Sequence, residues 1–252
     1  MIIVAAVLAV ATGASWWYFH RPQASVVITD TAVKPPAHIQ KANEGSPEFN
    51  KQQFSLTDPA SAWVVVNKQH PLQPTNYAPT DLRQPNMQLR AAGKPEMQVR
   101  DAAATALEQL NAAATKANIQ VQVVSGYRSY DYQVSVYGNY VKSVGQSAAD
   151  QESARPGYSE HQTGMAVDLG AQNGACTLEA CFGNTPEGKW LAANAHLYGY
   201  ILRYPADKIA ITGYEYEPWH FRYVGVALAT EMHKQNIQTL EEFFNVTGGT
   251  TY

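Results

Sequence analysis

Two short stretches of this 252-residue chain carry side chains that could bind a metal ion and activate water. The first, SEHQTGMAVD, contains His161 and Asp168, and the second, EPWH, contains Glu217 and His220. Two imidazoles and one carboxylate are a common ligand set for a catalytic zinc ion that keeps one coordination position open. Glu217, close to the third candidate ligand, lies where a general base for a zinc-bound water would be needed. The four side chains therefore predict a hydrolytic metal site.

Each stretch needs an interruption of regular structure before its side chains can meet. In one uninterrupted strand, residues seven apart, such as His161 and Asp168, face opposite sides of the sheet. A turn at Thr163-Gly164 would bring both to one metal. The glutamate and histidine of the second stretch are three apart, and they share a side if Pro218 distorts the strand. Asp168 is expected to end a short strand formed by 165–167.

The composition is that of a folded protein without the usual signs of nucleic-acid binding. Hydrophobic residues make up 45% of the chain, enough for a sizeable core, and the net charge of −3 does not suggest a basic patch. The two cysteines, Cys176 and Cys181, do not complete a structural zinc site and lack the spacing of a redox pair. They are predicted to form a local disulfide, which requires an oxidising compartment. Two unrelated reduced thiols are the alternative.

The N-terminal quarter of the chain is expected to lie outside the main domain. Residues 1–20 contain an apolar run that is predicted to be a membrane anchor with the domain outside, or a cleaved signal segment. Residues 21–58 are rich in Pro, Lys, Gln and Ser and predict a flexible linker. The folded domain is assigned to 59–252. The protein is therefore expected to be extracytoplasmic, to contact the membrane through its N-terminal segment, and to be a monomer.

The spacing of apolar residues predicts an α+β fold. Helical spacing over 95–116 and 131–144 indicates two amphipathic helices, and alternation over 119–123 indicates a strand with one buried face. Because strands and helices do not alternate as βαβ units, the expected architecture is a single compact domain with a central antiparallel sheet flanked by helices. The other predicted elements are strands at 63–68, 200–204 and 216–224 and helices at 188–198, 226–235 and 240–245.

Three motifs follow one another along the chain: SGYRS at 125–129, S-x-H-x-x-G-x-A-x-D at 159–168 and EPWH at 217–220. In type and order they resemble those of the VanY-type zinc D-alanyl-D-alanine carboxypeptidases. This group (peptidase family M15) includes bacterial L,D-carboxypeptidases. The similarity extends from about Ala60 to Val246 and implies the fold of that family. Any one of these residues alone is more often an ordinary core or surface residue, and the combination carries the resemblance.

The resemblance implies a role for each matching residue. It makes His161, Asp168 and His220 the ligands of a Zn²⁺ ion, and it makes Glu217 the base that deprotonates the attacking water. Arg128 would clamp the free carboxylate of the C-terminal residue through a bidentate, charge-assisted contact. Such a clamp favours carboxypeptidase over endopeptidase action, because a chain that continues past that residue has no carboxylate to offer. A structural ion pair at a helix start is the alternative for this arginine.

Four further residues match positions that line the substrate pocket in this family. They are Gln133, Ser159, Tyr204 and Trp219. Simple core packing is the alternative for Tyr204 and Trp219.

The resemblance implies an enzyme that removes the terminal D-alanine from peptidoglycan stem peptides, with D,D-cleavage favoured. L,D-cleavage of tetrapeptides uses the same site chemistry and is the first alternative. A non-catalytic, zinc-containing module that binds the cell wall is the second. Glu217 distinguishes it from an enzyme, because a binding module needs no carboxylate at the metal water. A dipeptidase for free D-Ala-D-Ala is a further option.

Overall fold

An antiparallel sheet carries two of the three candidate ligands, Asp168 and His220. The computed structural model describes residues 48–252, so the predicted anchor and residues 21–47 of the predicted linker lie outside the described residues. The strands are β1 (Leu82–Arg83), β2 (Val99–Arg100), β3 (Val121–Ser125), β4 (Ala166–Ala171), β5 (Tyr200–Leu202) and β6 (His220–Tyr223). The larger sheet has four strands in the order β3-β4-β6-β5, with every neighbouring pair antiparallel.

Helices flank this sheet, as an α+β fold requires, so the predicted fold class is confirmed for the described residues. Within 48–252, no helix is both long and apolar enough to cross a membrane. The helices are α1 (Asp101–Lys116), α2 (Tyr130–Val144), α3 (Gln146–Glu152), α4 (Pro186–Asn194), α5 (Ile209–Thr212), α6 (Val226–Lys234) and α7 (Leu240–Phe244). Short 3-10 helices lie at Pro95–Met97, Glu160–Thr163, Ala180–Asn184 and Ala195–Tyr198.

Helix α1 holds the sheet in place through its apolar face. Leu107 and Leu110 are fully buried and share one core with Val123 of β3 and Leu169 of β4. The spacing of apolar residues on α1 gives this single buried face, and its many alanines favour the helical conformation. The strands that carry the candidate site therefore rest on a packed helix.

The first turn of the predicted helix at 95–116 is not part of α1. Pro95–Met97 forms a separate 3-10 helix, and β2 then pairs with β1, so α1 begins at Asp101. The backbone of the 3-10 segment is held by another part of the chain, because Gly126 N donates to Glu96 O at 2.5 Å. These pairings join residues distant in sequence, so the helical periodicity could not reveal them.

The predicted strand at 63–68 is a buried, extended segment outside both sheets. Trp63 and Val65 pack against Leu240 and Phe243 in a second core cluster, and Trp63 Nε1 donates to Val224 O at 3.0 Å. Its one ladder-type contact in the described chain is an isolated bridge from Asn67 to a neighbouring histidine. The apolar residues of this segment indicated burial, but they did not determine whether it pairs with another strand.

Residues 48–58, which the sequence assigned to the linker, pack against the folded domain. The ring of Phe49 stacks on Trp63 with centroids 5.5 Å apart, and Lys51 Nζ donates to Phe243 O at 2.6 Å. Val65 N donates to Leu56 O at 3.0 Å. The described part of the fold therefore includes the C-terminal end of that segment.

Candidate active site

The sheet register brings two of the three candidate ligands together. Asp168 of β4 and His220 of β6 are direct partners across the antiparallel pair, so their side chains share one face. The strand β4 continues to Ala171, which corrects the expectation that Asp168 ends it. Asp168 is thus held from both sides of its strand.

A turn before β4 delivers the third candidate. His161 lies in the 3-10 helix Glu160–Thr163, which ends at Gly164 with a φ of +69°. A Cβ on Gly164 would come within 2.8 Å of Arg100 Cγ, so both the backbone conformation and the close approach require glycine. Thr163 Oγ1 accepts from Met165 N at 3.0 Å and stabilises the turn. The predicted break at 163–164 is present.

Glu217 also reaches the site from a turn. His220 N donates to Glu217 O at 3.1 Å, and β6 begins only at His220. The strand predicted from residue 216 therefore starts four residues later, and Pro218 lies in the turn that precedes it. Glu217 N donates to Tyr204 O at 3.1 Å, which fixes the turn against the end of β5.

The three candidate ligands form a compact buried cluster. His161 Nε2 lies 3.3 Å from Asp168 Oδ2, and His220 Nδ1 lies 3.3 Å from Asp168 Oδ1. One ligand atom from each residue falls within 4.8 Å of the others, the arrangement expected of a group that could hold a metal ion. The three residues are 2–3% exposed.

Hydrogen bonds behind the two imidazoles orient their inner nitrogens toward Asp168. His161 Nδ1 lies 2.6 Å from the carbonyl oxygen of Gly126, so Nδ1 carries the proton and Nε2 faces inward with a lone pair. His220 Nε2 lies 3.4 Å from Glu160 Oε2, which leaves Nδ1 facing Asp168. Partners of this kind fix the tautomer of histidine ligands in metal sites.

The donor set fits a divalent cation. Asp168 Oδ1 is buried, and no described residue makes a hydrogen bond to it. His220 Nδ1 lies 3.3 Å from Asp168 Oδ1. Burial opposes a charge on His220, but the neighbouring carboxylates of Asp168 and Glu160 raise its pKa to about 9, so a cation bound here would displace a proton from this ring. Burial, followed by the charge of Arg128, lowers the pKa of His161 to about 4, which keeps this imidazole neutral as a metal ligand must be.

The carboxylate of Glu217 has the proton affinity of a general base. Its Oε2 lies 3.5 Å from His220 Nδ1. Burial raises the pKa of Glu217 to about 7, and the nearby His220 offsets only part of that effect. A carboxyl group with a pKa near neutrality can both accept and return a proton at physiological pH.

Arg128 binds the candidate ligands themselves. One of its terminal nitrogens lies 2.8 Å from His161 Nε2 and 2.9 Å from Asp168 Oδ2. The ion pair that the sequence left open as an alternative is therefore present, although its partner is Asp168. A metal ion and this guanidinium would compete for the same two atoms, because each satisfies their lone pairs.

A cavity of about 190 Å³ opens onto the cluster. Ser159, Tyr204 and Trp219 line it together with Arg128 and Glu217. The Tyr204 ring also packs on His220, with centroids 4.7 Å apart. The side chains predicted to contact substrate thus lie at the cavity, with one exception.

Gln133 is the exception. The described residues that line the cavity do not include it. It is fully buried, and its Nε2 donates to Ala154 O at 2.8 Å. Since Ala154 lines the cavity, Gln133 supports the wall from behind. The helical position of Gln133 on α2 was predictable, but the loop that covers it was not.

The sequence interpretation missed a buried charge network behind His220. Glu160 accepts hydrogen bonds from Arg203 Nε at 2.8 Å and from Arg222 at 2.7 Å, and Arg203 also pairs with Glu241 at 2.7 and 2.8 Å. Burial opposes the ionisation of Glu160, but the two arginines outweigh it and hold its pKa well below the usual range. The available signal was an arginine within each of the apolar runs YILRY and HFRYV.

Cys176 and Cys181 form a disulfide in the structure, as their spacing suggested. The loop that they close carries Leu178, which lines the cavity. Sequence inspection assigned this leucine no role.

Comparison with known proteins places this architecture in one family. Residues 96–226 match the model of the VanY family, described as D-alanyl-D-alanine carboxypeptidase. The chain is 43% identical over 229 residues to the Bacillus subtilis (strain 168) protein YodJ, provisionally named a carboxypeptidase. That match covers 86% of this chain and 83% of YodJ. The chain therefore belongs to the VanY family of carboxypeptidases.

Solved structures in this family include both specificities. The LdcB LD-carboxypeptidase is similar with a TM-score of 0.70 and 43% identity, over 75% of this chain and 88% of that one. A variant of the vancomycin-resistance D,D-pentapeptidase VanY, solved in complex with Zn(II), has a TM-score of 0.60 and 33% identity. It covers 74% of this chain and 99% of its own. The shared fold thus accommodates D,D- and L,D-enzymes.

Proposed function

We propose that this protein is a zinc-dependent carboxypeptidase that releases the terminal D-alanine of peptidoglycan stem peptides. The observation that carries the proposal is the convergence of His161, Asp168 and His220 with Glu217 at one cavity. The names of the similar proteins support the substrate class, and the complex of VanY with Zn(II) supports the metal.

Hydrolysis adds the hydroxyl of a water molecule to the scissile carbonyl carbon and a proton to the leaving amine nitrogen. A zinc ion held by His161, Asp168 and His220 would acidify the water and polarise the carbonyl. Glu217 would accept the proton released by the water and return it to the amine. A pKa near 7 suits both transfers, since a stronger base would return the proton less readily.

Arg128 would change partners when metal and substrate bind. Its guanidinium now bonds to His161 and Asp168, the atoms that a cation would take. Displaced from them, the guanidinium would remain at the cavity wall, free to receive the terminal carboxylate of a peptide in a bidentate contact. This exchange would limit cleavage to the last residue of the chain.

D,D-cleavage is the first candidate specificity. L,D-cleavage is the second, and one specific observation favours it. The LD-carboxypeptidase LdcB has the higher identity and TM-score of the two structural neighbours described above. The two activities differ in the chirality of the residue before the scissile bond. Incubating zinc-loaded protein with a defined pentapeptide and a defined tetrapeptide, and measuring released D-alanine, separates them. Release from neither peptide, with one equivalent of zinc verified by metal analysis, would exclude both activities.

We also propose an extracytoplasmic location, with tethering through the N-terminal segment and a monomeric state. The disulfide between Cys176 and Cys181 supports an oxidising compartment. Alkylation of intact cells with a membrane-impermeant reagent, after reduction, tests the location, because cytoplasmic thiols would stay unlabelled.

A further inference from the structure

A second cavity of about 530 Å³ adjoins the catalytic cavity. Arg128, Asp168 and Leu178 line both, so the two spaces meet at the reactive centre. The catalytic cavity, at about 190 Å³, suits one small residue, whereas the second falls in the size range of sites that hold a whole ligand. We call the second cavity the upstream groove and define it by Arg90, Lys94, Met97, Tyr132, Val136 and Leu178.

The upstream groove carries an excess of positive charge. Arg90 and Lys94 are exposed, and no described acidic side chain forms an ion pair with either. Glu96 and Asp168 contribute two negative charges to the lining, and Arg128 adds a third positive charge at the end nearest the reactive centre, which leaves an excess of one positive charge. The whole chain has a net charge of −3, so this local balance is opposite in sign. Such a groove favours a ligand with free carboxylates.

The groove also offers an apolar wall where it meets the catalytic cavity. Leu178 is 40% exposed and Tyr132 is 43% exposed, so a bound ligand could cover both side chains. Leu178 has a φ of +56°, and Cys176 has a φ of +52°, conformations that cost energy for residues with a Cβ. The disulfide to Cys181 closes the loop around Leu178. The fold thus maintains this leucine in a costly conformation at the rim shared by both cavities.

We infer that the upstream groove binds the segment of an acidic peptide substrate that precedes the scissile bond. Arg90 and Lys94 receive a carboxylate of that segment, and Leu178 and Tyr132 pack against its backbone and methyl groups. The direction of the peptide, with its last residue in the catalytic cavity, rests on the proposed function. A stem peptide fits this description when its γ-linked D-glutamate keeps a free α-carboxylate.

Binding to a zinc-loaded Glu217→Ala protein tests the groove separately from hydrolysis. The probes are two synthetic pentapeptides of sequence L-Ala-γ-D-Glu-L-Lys-D-Ala-D-Ala that differ only in a free or amidated α-carboxyl group on the glutamate. We expect the acid to bind about three- to tenfold more tightly than the amide by calorimetry, the range for exposed charge contacts. In the same background, R90A/K94A should remove this preference. The control pair K116A/K142A removes the same amount of charge from exposed positions outside the groove. This control should still bind the acid more tightly than the amide.

Leu178→Ala provides a second, independent readout. It should weaken binding of both peptides by the same factor, because its contact does not involve the carboxylate. Equal affinity of the unmodified groove for acid and amide would overturn the inference. An equal loss of preference in R90A/K94A and K116A/K142A would also overturn it, since the effect would then be one of net charge. Hydrolysis of the same peptides by the protein with Glu217 intact reports on the proposed function alone.

Discussion

The two sides of the His220 ring differ in how completely their polar groups are paired. On the side of Nε2, Glu160 is bonded to Arg203 and Arg222, and all three side chains are inaccessible to solvent. Each of these charges has an opposite charge within 2.8 Å. This side has a structural role, because the hydrogen-bonding capacity of Glu160 and the two arginines is already used within the protein.

On the side of Nδ1, pairing is incomplete. Asp168 Oδ1 is buried, with no hydrogen bond from any described residue, and burial raises the pKa of Glu217 to about 7. Buried polar groups left in this state are costly unless a ligand satisfies them. The contrast shows that the charges behind the His220 ring are fully paired and fix its position, whereas at the candidate metal site one oxygen of Asp168 is left without a hydrogen-bond partner among the described residues.

Replacing Glu217 tests the unpaired side and should have the largest effect. We expect Glu217→Ala to lower kcat by about 10² to 10⁴, the usual contribution of a general acid-base group. Zinc should remain bound, because the three ligands are retained, whereas His161→Ala should lose both metal and activity. Glu215→Ala, an exposed glutamate two residues away, is the matched control. A full rate in Glu217→Ala would remove this residue from the mechanism.

Replacing Glu160 tests the paired side. Glu160→Ala leaves Arg203 and Arg222 buried without their shared carboxylate, so we expect a loss of about 3–5 kcal/mol in the free energy of unfolding. Urea denaturation measures it. Asp101→Ala is the comparison, because that carboxylate pairs with Arg83 on the surface at 68% side-chain exposure. The surface substitution should cost no more than about 1 kcal/mol. Similar losses in the two variants would contradict the assignment of the buried network as scaffold.

Metal binding should stabilise the unpaired side. With free zinc at 100 to 1,000 times its dissociation constant, the linkage relation gives a stabilisation of about 3–4 kcal/mol. Thermal unfolding with and without a chelator should therefore show a clear drop in Tm on chelation. Asp168→Asn should reduce that drop, while Glu215→Ala should leave it intact. If the Tm of the unmodified protein is the same with and without the chelator, the result would argue against a metal in this cluster.

His196 allows a comparison with an incompletely paired group away from the site. Its Nδ1 is buried without a partner among the described residues, and its ring stacks on His233 at 3.6 Å. Burial, with a smaller effect of His233, lowers the pKa of His196 to about 4. The unfolded chain, with a pKa near 6.5, then binds more protons than the native state between these values. Stability should therefore fall as pH decreases from about 6.5 to 4, by on the order of 1–2 kcal/mol once solvent screening of this half-buried ring is allowed for.

His196→Gln isolates that contribution, because it removes the titrating group and keeps a polar side chain. The difference in unfolding free energy between the two proteins should change across this pH window and be constant above it. A difference that is independent of pH would show that His196 is neutral in both states or charged in both.

Much of the fold was predictable where local patterns dominate. The helix predicted at 131–144 is α2, Tyr130–Val144, and the helices predicted at 226–235 and 240–245 correspond closely to α6 and α7. The turn at Thr163-Gly164 followed from the need to bring two ligands to one face. Periodicity and turn chemistry report on the chain within a few residues, and these features depend on little else.

Elements whose form depends on a distant partner could not be predicted in the same way. The segment at 63–68 has the composition of a strand, yet it packs as buried extended chain against α6 and α7. The first turn of the helix predicted at 95–116 is replaced because β2 pairs with β1, which lies about 17 residues upstream. In both places a non-local contact overrides local propensity.

The sequence by itself determined which residues could do the chemistry: His161, Asp168, His220 and Glu217 are identified by type, spacing and family resemblance. The tertiary structure alone decided how they meet, through the cross-strand pairing of Asp168 with His220. It also decided that Arg128 bonds to two of the candidate ligands and that a buried network of Glu160 and two arginines supports one imidazole. The physical reason is that spacing along the chain fixes which groups are present, whereas pairing of buried charges depends on strands brought together by folding.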